Sequence, residues 1–326
     1  MRYPLIALMC IMMIAGCVGQ TTQPSTQIEA ADVIVAASQA PVPANPAAGS
    51  DFTTSFTITN QHKDRVAKAV GAWIFDTGRC TLNRIGDKSV DAVSYFYDTN
   101  KVWPAFTFLD EPYRTDFAPG QTEVVRLSLT APGSAAIAGL PSTCPIRYKV
   151  DYNFTAQSEM SVDVISTDRL NQIETQTGAR PVTQRTLFVG GGPIRVLLEP
   201  TTTLPVETST NDVKKRLSFT LTIQNEGAGE FPVVEKYGLS IKVPAEFEVP
   251  PELGGKPCGD FFEFVSGGGV TTRPIELIQK SSNPITCTFI TPGADVVPIQ
   301  RQFTIFTSMP YKYDYFGPEI SVPITP

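Results

Sequence analysis

Apolar and polar residues alternate along most of this chain with a period of two. Phe52, Thr54, Phe56, Ile58 and Asn60 fall on one face, and Thr53, Ser55, Thr57 and Thr59 on the other. That is the pattern of a half-buried strand. It predicts further strands at Asp32 to Val35, at Val70 to Phe75 with Trp73, and at Val124 to Leu129. Cys144 to Tyr152 and Met160 to Ile165 read as the two arms of a closing hairpin. Breakers stand between these runs: Pro41 to Ser50, Asn60 to Asp64, Thr77 to Cys80 and Pro119-Gly120. Helical periodicity is confined to a possible turn within Ala131 to Ser142 and a short stretch around Leu170 and Ile173.

The plan then repeats. Leu217 to Asn225 (LSFTLTIQN) matches Phe52 to Asn60 (FTTSFTITN), and Ile194 to Leu198 matches the Val33 strand. Pro292-Gly293 with Val296-Val297 echoes Pro119-Gly120 with Val124-Val125. Tyr311-Lys312-Tyr313-Asp314-Tyr315 matches Tyr148-Lys149-Val150-Asp151-Tyr152, and Ile320 to Ile324 matches Ser161 to Ile165. Matches in the same order at nearly constant offset indicate a tandem of two related domains. Many short strands with proline and glycine turns make each an antiparallel β-sandwich, so the fold class is all-β. The expected units are 32–166 and 193–326, joined by a linker over 167–192. There Gly190-Gly191-Gly192 leads into Pro193 and a strand with no Lys-Ser/Thr behind it, which favours a flexible hinge over a phosphate loop.

The N-terminus is of another kind. Arg2 precedes an unbroken apolar run from Leu5 to Ile14, which ends in small residues and Cys17, as in a secretory signal over 1–16. A run of about ten residues spans only ~15 Å as a helix, half of a bilayer core. Ile14-Ala15-Gly16-Cys17 resembles the lipobox of secreted lipoproteins, which implies cleavage before Cys17 and a lipid on its thiol that attaches the protein to the membrane. Plain secretion with cleavage nearby is the alternative. The polar stretch from Val18 to Ala31 then serves as a stalk, giving an anchored segment over 17–31.

Composition narrows the partners. The formal charge of -6 repels phosphate backbones, so nucleic acid is not expected. Without Cys10, which leaves with the signal, and Cys17, four cysteines remain: Cys80, Cys144, Cys258 and Cys287. An even number in an exported chain reads as disulfides, with the within-half pairing Cys80 to Cys144 and Cys258 to Cys287 preferred among three, against four buried free thiols. No CxxC spacing supports zinc.

The lipobox-like segment, the strand-plus-asparagine signatures Phe56 to Asn60 and Leu221 to Asn225, and the Pro-Gly strand starts resemble the immunoglobulin-like domains of archaeal cell-surface lipoproteins and surface-layer-associated proteins. The resemblance covers nearly the whole mature chain. It departs from antibody-type domains in that Trp73 precedes Cys80 and the closing tyrosines follow Cys144. It implies immunoglobulin-like sandwiches in an envelope, adhesion or spacing role, with other envelope proteins or glycans as partners and no cofactor.

Candidate chemistry is sparse. The sole histidine, His62, lies in a polar turn, where it reads as an exposed residue and not a base, and no Gly-x-Ser-x-Gly elbow exists. One histidine excludes a cupredoxin-type copper site, and no EF-hand spacing is present, which leaves irregular oxygen-ligand calcium open. No carboxylate pair stands out for glycoside hydrolysis. Alternation places Lys149 with Asp151, and Lys312 with Asp314, opposite the tyrosines, as a solvent-facing strand with local charge pairing. The binding candidates are Tyr95, Tyr97, Trp103 and Tyr113, rings among polar loop formers that either fill the core or present a flat surface to a sugar or partner. Trp103 is the ring expected to be exposed, because Pro104 keeps it in a loop. Asn153-Phe154-Thr155 is the sole glycosylation acceptor, at Asn153.

Overall fold

Two small β-sheets pack on one face of a large sheet that runs through both halves of the chain. The computed structural model describes residues 32–86, 115–183, 187–231, 233–265 and 267–326, with the backbone of the short strands Lys88–Ser89, Tyr95–Asp98, Lys101–Pro104 and Phe106–Thr107. The signal, Cys17 and the stalk lie outside them. Strands hold 55% of the described residues and helices 8%, so the all-β class holds, and the ladders are almost all antiparallel.

The first small sheet runs Ile34–Val42, Asp51–Asn60, Thr122–Thr130, Thr81–Ile85 and Lys88–Ser89. The second runs Ile194–Pro200, Arg216–Asn225 and Ile285–Ile290. The large sheet follows the path Phe262–Val265, Gly268–Thr271, Ser240–Lys242, Gln300–Phe316, Ser142–Ile165, Ala67–Asp76 and Phe106–Thr107. Ring contacts mark where the layers meet: Phe56 stacks on Tyr148 with centroids 3.9 Å apart in the first half, and Phe289 meets Phe264 at 5.4 Å in the second.

The two long strands at the centre of the large sheet join the halves. Every residue of Gln300–Phe316 pairs with one from Lys149 to Ile165. The expected closing hairpin is therefore a single strand, Ser142–Ile165. Residues 153 to 159 are polar enough to suggest a turn, but they contain no glycine or proline and keep their alternation. Phe154, Ala156 and Ser158 point inward, and the buried Ser158 hydroxyl is satisfied by Thr307 Oγ1 at 2.7 Å. The chain then returns to the first half, where Ile320–Ile324 pairs with Ser142 to Ile146. Thr325 accepts from the Ala48 N–H at 2.8 Å and donates to the Pro46 carbonyl at 3.0 Å.

The repeat signatures have a common physical basis. Asn60 and Asn225 end equivalent strands and are buried. The Asn60 side-chain oxygen accepts from the His62 N–H and its amide donates to the Arg65 and Phe117 carbonyls. Asn225 accepts from the Gly227 N–H and donates to the Gly229 carbonyl. Each asparagine thus pins the turn that follows its strand. The Pro-Gly echo has no such basis: Pro119-Gly120 precedes Thr122–Thr130, whereas Pro292-Gly293 follows Ile285–Ile290, and Val296 lies in a turn.

Between the halves, the segment read as linker forms the helix Thr167–Thr177, capped by the Ser166 hydroxyl, and the strand Leu187–Val189 on the first long strand. The glycine triplet is buried and does not behave as an open hinge. A Cβ on Gly190 would stand 3.1 Å from the Gln157 carbonyl, and one on Gly192, whose φ is +131°, 3.0 Å from the Tyr311 hydroxyl. Glycine is needed there for close approach.

Each half also carries a disulfide, Cys80–Cys144 and Cys258–Cys287, the within-half arrangement. Removing the second as Cys258→Ser/Cys287→Ser should cost about 3–4 kcal/mol in denaturant unfolding, because it frees the closed loop in the unfolded chain. Asp32 offers a pH test. Burial raises its pKa above 3.8, opposed by the Ala228 N–H and by Lys280. A raised carboxyl pKa means that the fold favours the neutral acid, so stability falls as pH rises from 3.8 through the folded value. Asp32→Asn should melt higher than wild type at about pH 7 and equally near pH 3.

Candidate functional site

Alternation sorts the central sheet into two chemistries. Tyr148, Tyr152, Tyr311, Tyr313 and Tyr315 point inward and are buried. Burial pushes the phenols of Tyr148, Tyr152, Tyr311 and Tyr313 above the usual range, so they stay protonated and able to donate. Tyr313 shows this role: its hydroxyl donates to Asn225 Oδ1 at 3.1 Å and accepts from the Gly229 N–H at 2.8 Å.

The opposite face carries the charges, but not as local pairs. Asp151 and Asp314 lie directly opposite each other in the ladder, where like charges repel. Each takes its lysine from across the strands: Lys312 Nζ reaches Asp151 Oδ2 at 2.6 Å, and Lys149 Nζ reaches Asp314 Oδ2 at 2.8 Å. Asp151 is also fully buried, not solvent-facing, because Trp73 lies over it and donates its indole N–H to Oδ1 at 2.7 Å. Lys312 is paired with Asn153 and Lys149 with Phe316, so each lysine reaches its carboxylate as a diagonal neighbour across the ladder, a span that long side chains bridge.

Beside this quartet opens a cleft of about 710 Å³. Arg65 and Lys68 come from the first half, Lys312 and Tyr311 from the second, and Asn153 and Gln157 from the long strand between them. The Arg65 guanidinium lies 4.6 Å from the Phe154 ring centroid and donates to the Thr155 carbonyl at 2.8 Å. The turn that presents Arg65 is built on His62. His62 is buried against Phe154 and not exposed, and its Nδ1 accepts from the Arg65 N–H at 3.2 Å. The same nitrogen lies 3.0 Å from Asp64 Oδ1, so the imidazole is tied into a structural turn.

The expected site residues are distributed unevenly about this face. Asn153 is exposed within the cleft, between Lys312 and Lys68 in the register. Tyr113 lies outside the described residues. Tyr95 and Tyr97 fall in the strand Tyr95–Asp98 and Trp103 in Lys101–Pro104, which pair with each other. Trp103 is therefore in a strand opposite Phe96, not in a loop: Pro104 ends the strand, a position where its missing N–H is tolerated. Lys101–Pro104 lies against Ala67–Asp76, the strand of Trp73. Among the described residues, no group of three or more His, Cys, Asp or Glu gathers closely enough to hold a metal ion. Sequence reasoning missed Arg65, Lys68 and Gln157. Arg65 and Lys68 follow a polar turn with no motif, and only the long-range register brings them to Lys312.

No known protein family matches the chain, and no curated protein does. Among solved structures it is similar to AvmM, described as catalysing macrocyclization in alchivemycin A biosynthesis, at 13% identity over 52% of this chain and 96% of that one, with a TM-score of 0.24. It is also similar to the full-length major pilin SpaD of Corynebacterium diphtheriae, at 10% identity, 67% of this chain, 57% of that one and a TM-score of 0.23. Domains D2 and D3 of the same pilin match at 10% identity, 67% of this chain, 86% of that one and 0.22. At these TM-scores none assigns an activity or a family.

The Trp73–Asp151–Lys312 contacts form one unit, which a double-mutant cycle can read. Asp151→Asn should destabilise by about 2–3 kcal/mol and Trp73→Phe by about 1 kcal/mol. Together they should lose less than the sum by about 1 kcal/mol in chemical denaturation.

Proposed function

We propose that this chain is a non-catalytic structural or adhesion module of the cell envelope. It is held on the extracytoplasmic face of the membrane by lipid on Cys17, with residues 17–31 as stalk and two related units, 32–166 and 193–326, that share one sheet. The observation that carries this reading is the ladder between Ser142–Ile165 and Gln300–Phe316, which makes one stiff body of both halves, with a disulfide in each. Disulfides of this kind persist in oxidising compartments, which supports export. Stiffness with charged groups outward suits a spacer or a presenting scaffold. The second reading is a carbohydrate- or partner-binding accessory subunit of a surface complex that uses the aromatic segment of the first half. It is favoured by the placement of Lys101–Pro104 against the strand that carries Trp73.

Membrane fractionation with intact mass of wild type and Cys17→Ser tests the proposal. Wild type should sediment with membranes, begin at Cys17, carry lipid, and gain four thiols only on reduction. Cys17→Ser should be released. An unlipidated wild type, or a Cys17→Ser protein still in the membrane fraction, would sink it.

A further inference from the structure

We propose that the cleft between Arg65, Lys68 and Lys312 binds a sugar bearing a carboxylate or sulfate group. The inference deepens the adhesion reading and rests on it for the place where such a glycan is met.

The charge of the cleft is the starting point. Three cations line it on a chain of formal charge -6. The carboxylate beneath them, Asp151, is buried and already engaged by Lys312 and Trp73. A local positive excess remains, which favours an anionic ligand group. The overall negative charge disfavours a dense polyanion, so a sparsely charged ligand fits best.

The groups are also held ready. Arg65 is fixed by the Thr155 carbonyl and the Phe154 ring, and Lys312 by Asp151. Lys68 is exposed and has no ion-pair partner among the described residues. Between the cations, the side-chain amides of Asn153 and Gln157 make no hydrogen bond among the described residues, and so are placed for sugar hydroxyls. The volume of about 710 Å³ lies within the range of clefts that enclose small ligands, about 300–1,000 Å³.

A sugar is favoured over an acidic peptide because the cleft borders no free sheet edge. Asn153 pairs with Lys312 on one side and Lys68 on the other, so no peptide can add there as a strand. An N-glycan on Asn153 would fill the same space, and the two uses exclude each other.

Calorimetric titration of the full-length chain in detergent micelles tests this, with trigalacturonate, a sulfated disaccharide, uncharged cellotriose and tri-glutamate as probes. At least one acidic sugar should bind with a Kd of about 0.01–1 mM, weaken with added salt, and exceed cellotriose by about ten-fold. Which acidic sugar binds separates the carboxylate from the sulfate source. Lys68→Gln should weaken binding about ten-fold with no change in melting temperature. Failure of both acidic sugars to bind, full binding by Lys68→Gln, or a glycan filling Asn153 in the native protein would overturn the proposal. Equally tight binding of tri-glutamate would assign the cleft to acidic peptides instead. The titration reads the cleft in purified protein, so its failure is distinct from failure of the membrane test.

Discussion

The molecule depends on one antiparallel ladder. Gln300–Phe316 pairs along its whole length with the first long strand, and each strand begins over one small sheet and ends over the other. Phe303 packs on Phe247 of the second half, while thirteen residues later Phe316 lies opposite Lys149 and meets Phe75 of the first. Ser142–Ile165 of the first half packs against Ile194–Pro200 of the second small sheet, and Ile320–Ile324 against Ile34–Val42 of the first, so each sandwich is completed by a strand from the other half of the sequence. The main-chain hydrogen bonds of the ladder lie in the sheet and apolar side chains cover its inner face, so few of these bonds are open to competition from water.

The register of that ladder also sets the chemistry of the centre. Pairing Asp151 with Asp314 forces two carboxylates together, and the lysines that neutralise them come from the partner strand. Inward, the same register gathers the tyrosines, and the Tyr313 hydroxyl reaches the turn that follows Asn225. A slip of one residue would bring the charges inside and the rings outside. The alternation of ring and charge thus specifies the pairing as well as filling the two faces.

Much of this is local and could be read from the sequence. The strand from Phe52 to Asn60, the two asparagines, the all-β class and the division of Tyr148 and Tyr152 from Lys149 and Asp151 all follow from period-two alternation or from turn chemistry. What could not be read depends on distant pairing. Nothing in residues 153 to 159 says that a neighbouring strand will continue alongside them, so polar alternation there resembled a turn. The glycine triplet carried a turn composition, but its use is close packing against Gln157 and Tyr311. His62 lay among polar neighbours in sequence and under Phe154 in space. Arg65, Lys68 and Lys312 belong to one cleft only because the long strands bring the ends of the chain together.

The return of Ile320–Ile324 to the first half bears on how the protein is made. The sheet opposite the first small sheet lacks both its Gln300–Phe316 neighbour and the strand Ile320–Ile324 until those residues have been synthesised. The N-terminal portion cannot close its layers as it leaves the ribosome. Closing these layers therefore waits on strands far downstream in the sequence, and the entropy of bringing such distant segments together sets the slow step of folding.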